Sequence, residues 1–282
     1  MQDEEKRKLF LQKKALEINL YVVGAGAFAV FLRWLQDQLA FNELGLADRS
    51  VFHVLVLLFL AAAAYVFGRF LNQLQARNLR LPETFCEALR NEGSLFRLAR
   101  ILLGALMCLG ALWLFGASGE DKYAGMLRAL AVLGLLTGLS YPYVLSAANR
   151  NRKPDALLCL AATLPVLLFA MWLLVSYRVN SINSVAWAYA LDIFTPIMAM
   201  LSFFRLAGFA FGVPEARKSM AGAMFGAVMC MMALADERYM GMHLMLAAAA
   251  GMQVLYNWIM IVNLKEGKVR EKQGLTGGFE RL

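Results

Sequence analysis

The chain has 282 residues, of which 60% are hydrophobic and 17% charged, and its formal net charge is +8. Its mean hydropathy of +0.56 excludes an ordinary soluble protein, in which about half of the residues are apolar. A helix needs about 20 apolar residues to cross a hydrocarbon core of about 30 Å. Eight stretches have that length, at residues 18–39, 51–72, 95–117, 123–146, 156–177, 185–211, 219–236 and 240–263. The sequence therefore predicts an all-α membrane protein with eight transmembrane helices.

The positions of the basic residues predict how these helices are oriented. If the chain crosses the membrane eight times, 22 of its 28 Lys and Arg residues lie on the side of the two termini, and six lie on the other side. Cytoplasmic loops of membrane proteins carry such an excess of positive charge. We therefore expect a multi-pass protein of the plasma (cytoplasmic) membrane with both termini in the cytoplasm. Basic residues beside an anionic leaflet account for the net charge, so no nucleic acid partner is expected.

Ionisable residues occur near the predicted external ends of several helices. Arg33 lies four residues before Asp37 near the end of the first predicted helix, and we interpret the pair as an anchor that reaches the membrane surface. His53 opens the second predicted helix, where a histidine is usually an interfacial residue. Arg128 follows the second external loop. All three are candidate binding groups because they are expected at the same side of the membrane.

Two segments near the ends of the two halves are similar to each other. The stretch EDKYAGMLRALA, from Glu120 to Ala131, aligns with DERYMGMHLMLA, from Asp236 to Ala247, and the preceding GALMCLGAL aligns with GAVMCMMAL. This similarity predicts two parallel four-helix repeats, residues 1–150 and 151–282, related by a pseudo-twofold axis along the membrane normal. The alternative is chance similarity between apolar helices built from few residue types. In the repeat alignment His53 falls opposite Tyr189.

Asp192 is the residue of the predicted helices whose placement inside the membrane costs the most free energy. An ionisable group inside the membrane is expensive unless it is paired or hydrated, which marks it as a candidate functional residue. Pro196 removes the helical hydrogen bond to the carbonyl of Asp192, so a carboxylate and a backbone oxygen occur at one point. One interpretation is a cavity for a small polar solute or ion. The other is a structural ion pair with a basic residue of another helix, and the candidates are Arg33, His53, Arg128, Arg178 and His243.

Four residues with soft or nitrogen donors occur where the last predicted helix begins: Met240, Met242, His243 and Met245. Thioether and imidazole groups are suitable ligands for Cu(I). Methionine also fills irregular helix contacts without any ligand, and this half of the chain is rich in methionine. We favour packing over a soft-metal site, and we expect no cofactor.

The sequence contains no HExxH, GxSxG, P-loop or CxxC motif, so we do not expect an enzyme. In the last predicted helix, Gln253 and Asn257 share one face and are expected to hydrogen-bond another helix. Two functions stay open. The first is a carrier or channel for a small polar solute or ion that uses Asp192. The second is a membrane scaffold, sensor or assembly subunit that binds a partner protein or forms a homo-oligomer.

Overall fold

The structure is a computed structural model that describes residues 2–40, 50–76, 79–91, 93–119, 121–150, 153–180 and 186–266. Its helices are α1 (Gln2–Leu39), α2 (Ser50–Ala76), α3 (Phe85–Leu89), α4 (Ser94–Ala117), α5 (Ala124–Asn149), α6 (Ala156–Asn180), α7 (Ala186–Ala207), α8 (Ala216–Met232) and α9 (Met240–Val262). A 3-10 turn at Ala233–Ala235 follows α8, and two short antiparallel strands pair, β1 (Leu79–Arg80) with β2 (Lys265–Glu266). Every helix except α3 is long and apolar enough to cross a membrane, which confirms the prediction of eight spans.

Six of these helices form a closed ring. From α4 to α9, each helix packs against the next, and α9 packs against α4. Outside the ring, α1 packs against α8 and α9, and α2 packs against α1 and α8. The loops α4–α5 and α8–α9 lie at one end of the ring, which we call the hairpin end. The short helix α3, which contacts α5 and α9, lies at the other end.

Glycines allow α4 to approach both of its neighbours. A Cβ added at Gly241 of α9 would lie 2.5 Å from the carbonyl oxygen of Gly110 in α4. On the other side, a Cβ added at Gly138 of α5 would lie 2.7 Å from the carbonyl oxygen of Gly104. Small residues are the usual means by which membrane helices come into backbone contact, so α4 is held tightly on two sides.

A layer of buried aromatic side chains crosses the interior of the ring. Phe169 of α6 stacks on Trp172 and on Phe203 of α7, with ring centroids 5.8 and 5.7 Å apart. Tyr256 of α9 then contacts Phe203 at 6.4 Å and Tyr141 of α5 at 5.3 Å. All five side chains are buried. The layer therefore connects α5, α6, α7 and α9 and fills the middle of the ring.

The polar residues of α9 bond neighbouring helices, as the sequence predicts. Asn257 donates to Asn19 of α1 at 2.9 Å, and Gln253 lies 3.5 Å from the sulfur of Cys230 in α8. All three amide side chains are buried. These contacts hold α1 and α8 to α9.

The helix α3 closes the ring at the end opposite the hairpins. Its buried residues Phe85 and Leu89 face the ring, and Thr84 caps its first turn. Asn263, just after α9, donates to the carbonyl of Arg90 at 2.7 Å, and Lys265 pairs with Glu87 at 2.7 Å. The helix α3 is a separate element that ends before α4 begins.

The two halves of the chain are not packed in the same way. In the second half, α7 packs between α6 and α8, whereas its counterpart α2 contacts α1 and α8. The four-helix repeat, its pseudo-twofold axis and the division of the chain at residues 150 and 151 stay predictions.

Candidate functional site

A cavity of about 650 Å³ lies inside the hairpin end of the ring. Its charged lining residues are Asp121, Lys122, Asp192, Glu237 and Arg238. Its buried apolar lining residues are Leu127, Trp172, Val175 and Met242. Because Trp172 belongs to the aromatic layer, that layer forms the floor of the cavity. The lining combines fixed charges with an apolar base, as small-molecule sites do.

Asp192 lies on the wall of this cavity. The carboxylate is carried by α7, six residues after the helix begins at Ala186, or about 9 Å along the axis at about 1.5 Å per residue. One carboxylate oxygen pairs with Arg238, and the other accepts from Asn180 of α6 at 3.3 Å. Its side chain keeps 28% of its surface exposed, so the ion pair leaves part of the carboxylate accessible.

Arg238 links Asp192 to a second buried carboxylate. The same guanidinium contacts Asp236 at 2.8 Å, and Asp236 also accepts from Arg33 of α1 at 2.5 Å. The side chains of Arg238, Asp236 and Arg33 are only 7%, 9% and 5% exposed. Buried charges are tolerated when every one of them is paired, and this chain of contacts satisfies that requirement.

The chain of polar contacts continues from Arg33 to α2. Arg33 donates to Gln36 at 2.8 Å, and the amide nitrogen of Gln36 lies 2.6 Å from Nδ1 of His53. Gln36 and His53 also line a second, mostly apolar cavity of about 270 Å³ next to α2, α7 and α8. The ion-pair network therefore reaches from the main cavity to the outside of the ring.

Two expectations about these ion pairs are corrected by the structure. Arg33 is not an anchor that reaches the membrane surface: it is buried, and its shortest carboxylate contact is to Asp236, whereas Asp37 lies at 3.4 Å. The direct partner of Asp192 is Arg238, which was not among the five basic residues considered. Both partners lie in the loop before α9: Asp236 is 203 positions after Arg33, and Arg238 is 46 positions after Asp192.

The other predicted binding residues lie away from the cavity. Arg128 is exposed and its guanidinium lies 5.8 Å from the ring centroid of Phe115. Tyr189 does not line the cavity, although it lies one turn from Asp192. The ring nitrogens of His243 lie 3.0 Å from the carbonyl of Asp236 and 3.3 Å from that of Tyr239. His243 thus supports the backbone that carries the network rather than the cavity surface.

The structure does not bring the four candidate metal donors together. Met240 is 56% exposed, Met242 lines the cavity, and Met245 is buried against α4 and α5. Both nitrogens of His243 face backbone carbonyls, as above. Within the described ranges, no group of three or more His, Cys, Asp or Glu residues is arranged to hold a metal ion.

The two loops of the hairpin end contact each other at the rim of the cavity. The phenol of Tyr239 donates to Asp121, and the same carboxylate accepts from the backbone N–H of Tyr123 at 2.6 Å. The bond from Tyr239, followed by that from Tyr123, lowers the pKa of Asp121, while the bond to Asp121 raises the pKa of Tyr239. The sequence contained a signal for this contact, since both loops carry the same acid, base and tyrosine pattern.

No protein-family model matches the chain, and comparisons with the curated proteins and with the solved structures found no match. The class of the protein therefore follows from its own structure. With eight helices long and apolar enough to cross a membrane, it is a multi-pass α-helical membrane protein.

Proposed function

We propose that the protein is a carrier for a small polar solute or ion, and that the cavity at the hairpin end is its binding site. The observation that supports this most strongly is Asp192, a carboxylate of a membrane-spanning helix that faces a cavity of about 650 Å³. Ionisable residues in such positions usually belong to substrate or ion pathways. The volume lies within the range of about 300–1,000 Å³ that is typical of small-molecule sites.

The interior of the ring is closed below the cavity, as a carrier requires. In the part of the chain that the structure describes, a void of about 10 Å³ lies beneath the aromatic layer, lined in part by Tyr141, Tyr256 and the α3 residues Phe85 and Leu89. The aromatic layer therefore separates a solute in the cavity from the other end of the ring. In an alternating-access cycle this arrangement is the state open at the hairpin end, which the basic residues predict to be the external side.

The α3 end is suited to open in the other state of the cycle. Its closure depends on a five-residue helix, on the hydrogen bonds of Asn263 and on the pair between Glu87 and Lys265. The lysine and glutamate side chains are 59% and 30% exposed, and ion pairs of this kind contribute less than about 1 kcal/mol each. The ion pair can break and reform without a large change in stability, whereas opening this end would also separate the buried side chains of Phe85 and Leu89 from the ring.

A second function, a membrane scaffold or assembly subunit, is favoured by the outer face of α2. Val51, Val54, Leu57, Leu58 and Tyr65 are all exposed there, and among the described residues α2 packs mainly against α1, α8 and the short strand β1. In the membrane this face contacts lipid, a partner protein or a second copy of the chain. Under this alternative Asp192 only locks the helices together.

A ligand panel distinguishes the two functions. Thermal unfolding of the full chain in detergent would be measured with alkali cations, amines and organic anions, for the wild type, for Asp192→Asn and for the control Glu83→Gln on an exposed loop. A carrier predicts that at least one class raises the midpoint. The stabilisation is about 2.7 kcal/mol at a hundredfold excess over Kd, and Asp192→Asn abolishes it.

The same ligand would then be followed in uptake by liposomes that contain the protein. Uptake that is lost in Asp192→Asn and kept in Glu83→Gln supports the carrier. If no ligand raises the unfolding midpoint, if Asp192→Asn merely lowers it, and if the liposomes take up none of the panel ligands, the scaffold is the better explanation.

A further inference from the structure

We infer that the cavity recognises an organic cation, that is, an ammonium group joined to a small apolar body. This inference rests on the proposed function and adds the chemical class of the solute. It follows from the balance of charges in the network, from the part of the network that the solute can reach, and from the apolar base of the cavity.

Among the described residues, the ion-pair network contains more acids than bases, although one of the acids, Asp37, is 35% exposed. Its carboxylates are Asp37, Asp192 and Asp236, and its guanidinium groups are Arg33 and Arg238. Three negative groups therefore share two positive ones. A cation bound beside this network would offset its excess of negative charge, whereas an anion would add to that excess.

Asp192 is the carboxylate of the network that lines the cavity. Its side chain is 28% exposed, compared with 9% for Asp236, and only Asp192 and Arg238 line the cavity itself. The rim adds two more carboxylates, those of Asp121 and Glu237, against the single amine of Lys122. Among the lining residues that the structure describes, three thus carry carboxylates and two carry basic groups.

Neither base is well placed to hold an anion. The guanidinium of Arg238 is already shared between Asp192 and Asp236, and its side chain is 7% exposed. Lys122 is an exposed rim residue whose amine lies 5.5 Å from the ring centroid of Tyr123. A solute carboxylate would have to displace Asp192 from Arg238, so anions are disfavoured.

The remaining lining suits the rest of such a cation. Leu127, Trp172, Val175 and Met242 provide a buried apolar surface below Asp192, where a hydrocarbon body can be desolvated. Trp172 belongs to this apolar floor, with 1% of its surface exposed and its ring stacked on Phe169 at 5.8 Å. A carboxylate beside an apolar floor is an arrangement that separates organic cations from hydrated metal cations.

The test uses three probes of nearly equal shape that differ in charge. They are choline, its neutral isostere 3,3-dimethylbutan-1-ol and its anionic counterpart 3,3-dimethylbutanoate, with benzyltrimethylammonium as a larger cation. Binding to the full chain in detergent would be measured by titration calorimetry. We expect the two cations to bind at least about tenfold more tightly than the neutral and anionic probes, a difference of about 1.4 kcal/mol.

Variants locate the binding. Asp192→Asn should weaken cation binding at least tenfold, Asp192→Glu should restore most of it, and Glu83→Gln should leave it unchanged. Because Asp192→Asn also removes an ion pair, Glu237→Gln serves as a second variant that leaves the buried network intact, with a predicted loss of about twofold to fivefold in cation affinity.

The possible failures are distinguishable. Binding of 3,3-dimethylbutanoate or of the neutral alcohol as tightly as choline would overturn the cation class and leave the cavity as a solute site. Cation binding that survives Asp192→Asn and Glu237→Gln would also overturn it, because the site would lie elsewhere. If neither cation binds but another class of ligand in the panel does, the assignment of an organic cation is wrong and the carrier proposal is retained. If nothing in the panel binds or is taken up, the proposed function itself fails.

Discussion

Removing Arg238 should destabilise the protein far more than removing Asp192. Arg238→Met keeps the length and apolar stem of the side chain but deletes the guanidinium between two carboxylates. Breaking a buried ion pair by removing one partner costs about 3–5 kcal/mol. Asp236 keeps Arg33 at 2.5 Å, and Asp192 keeps the amide of Asn180 and the water of the cavity, so we place the cost at the lower end, about 3 kcal/mol.

Asp192→Asn should cost less, about 1–2 kcal/mol, because Arg238 retains Asp236 and the residue faces the cavity. Because Arg238 and Asp192 are in direct contact, their losses should not add. The double variant should be more stable, by about 1 kcal/mol or more, than the sum of the two single losses predicts. Equilibrium unfolding in mixed detergent micelles would measure all four proteins. Additive losses, or an Arg238→Met variant that is as stable as the wild type, would refute the network as a coupled unit.

Three further predictions concern the packing of the ring and its rim. Gly241→Ala should destabilise the protein by about 1–3 kcal/mol, because the added Cβ would lie 2.5 Å from backbone atoms of α4. The control Gly125→Ala should be neutral or slightly stabilising, because a Cβ there meets nothing within 4 Å. Thermal unfolding of the two variants compares them directly. Asp121 has a lowered pKa in the folded protein, so its stabilising contribution is present above its unfolded value of about 3.8 and is lost as the pH falls through the lower folded value. Tyr239→Phe should therefore lower the unfolding midpoint at pH 6 and approach the wild type below pH 3, and a constant difference across this range would contradict the assignment. Asn257→Leu should lower the free energy of unfolding by about 1 kcal/mol, because it breaks the hydrogen bond between α9 and α1. Unfolding in mixed micelles measures this loss. An unchanged stability would show that the buried hydrogen bond contributes nothing.

The sequence predicted the eight spans well because membrane crossing depends on local length and apolarity. The largest difference is in α1, which is helical from Gln2, whereas the predicted span begins at residue 18. Lys13, Lys14 and Glu17 made that turn look like a surface segment, but Lys14 and Glu17 pair at 2.5 Å and Leu11 and Ala15 are buried. Helix packing therefore extends further toward the terminus than hydropathy indicates.

The site was predicted only in part, because its geometry depends on contacts that local rules do not contain. Asp192 stood out through the cost of a charge in a membrane helix, and it does line the cavity. Its partner Arg238 did not stand out, since charged residues in a short external loop are usually hydrated. For Arg33, the rule for residues four apart in a helix favoured Asp37, whereas the shorter contact is to Asp236. Pairing across 203 positions can be seen only in three dimensions.

The contacts of α1 constrain the order in which the protein can be assembled. Arg33 and Asn19 enter the membrane with the first helix, but their partners Asp236 and Asn257 are synthesised 203 and 238 residues later. Until α9 is inserted, α1 carries a guanidinium and an amide that lack these native partners, so its docking must be one of the last steps of biogenesis. A nascent chain that stops before α9 would expose those polar groups to lipid, and membrane quality control could recognise them as the mark of an incomplete protein.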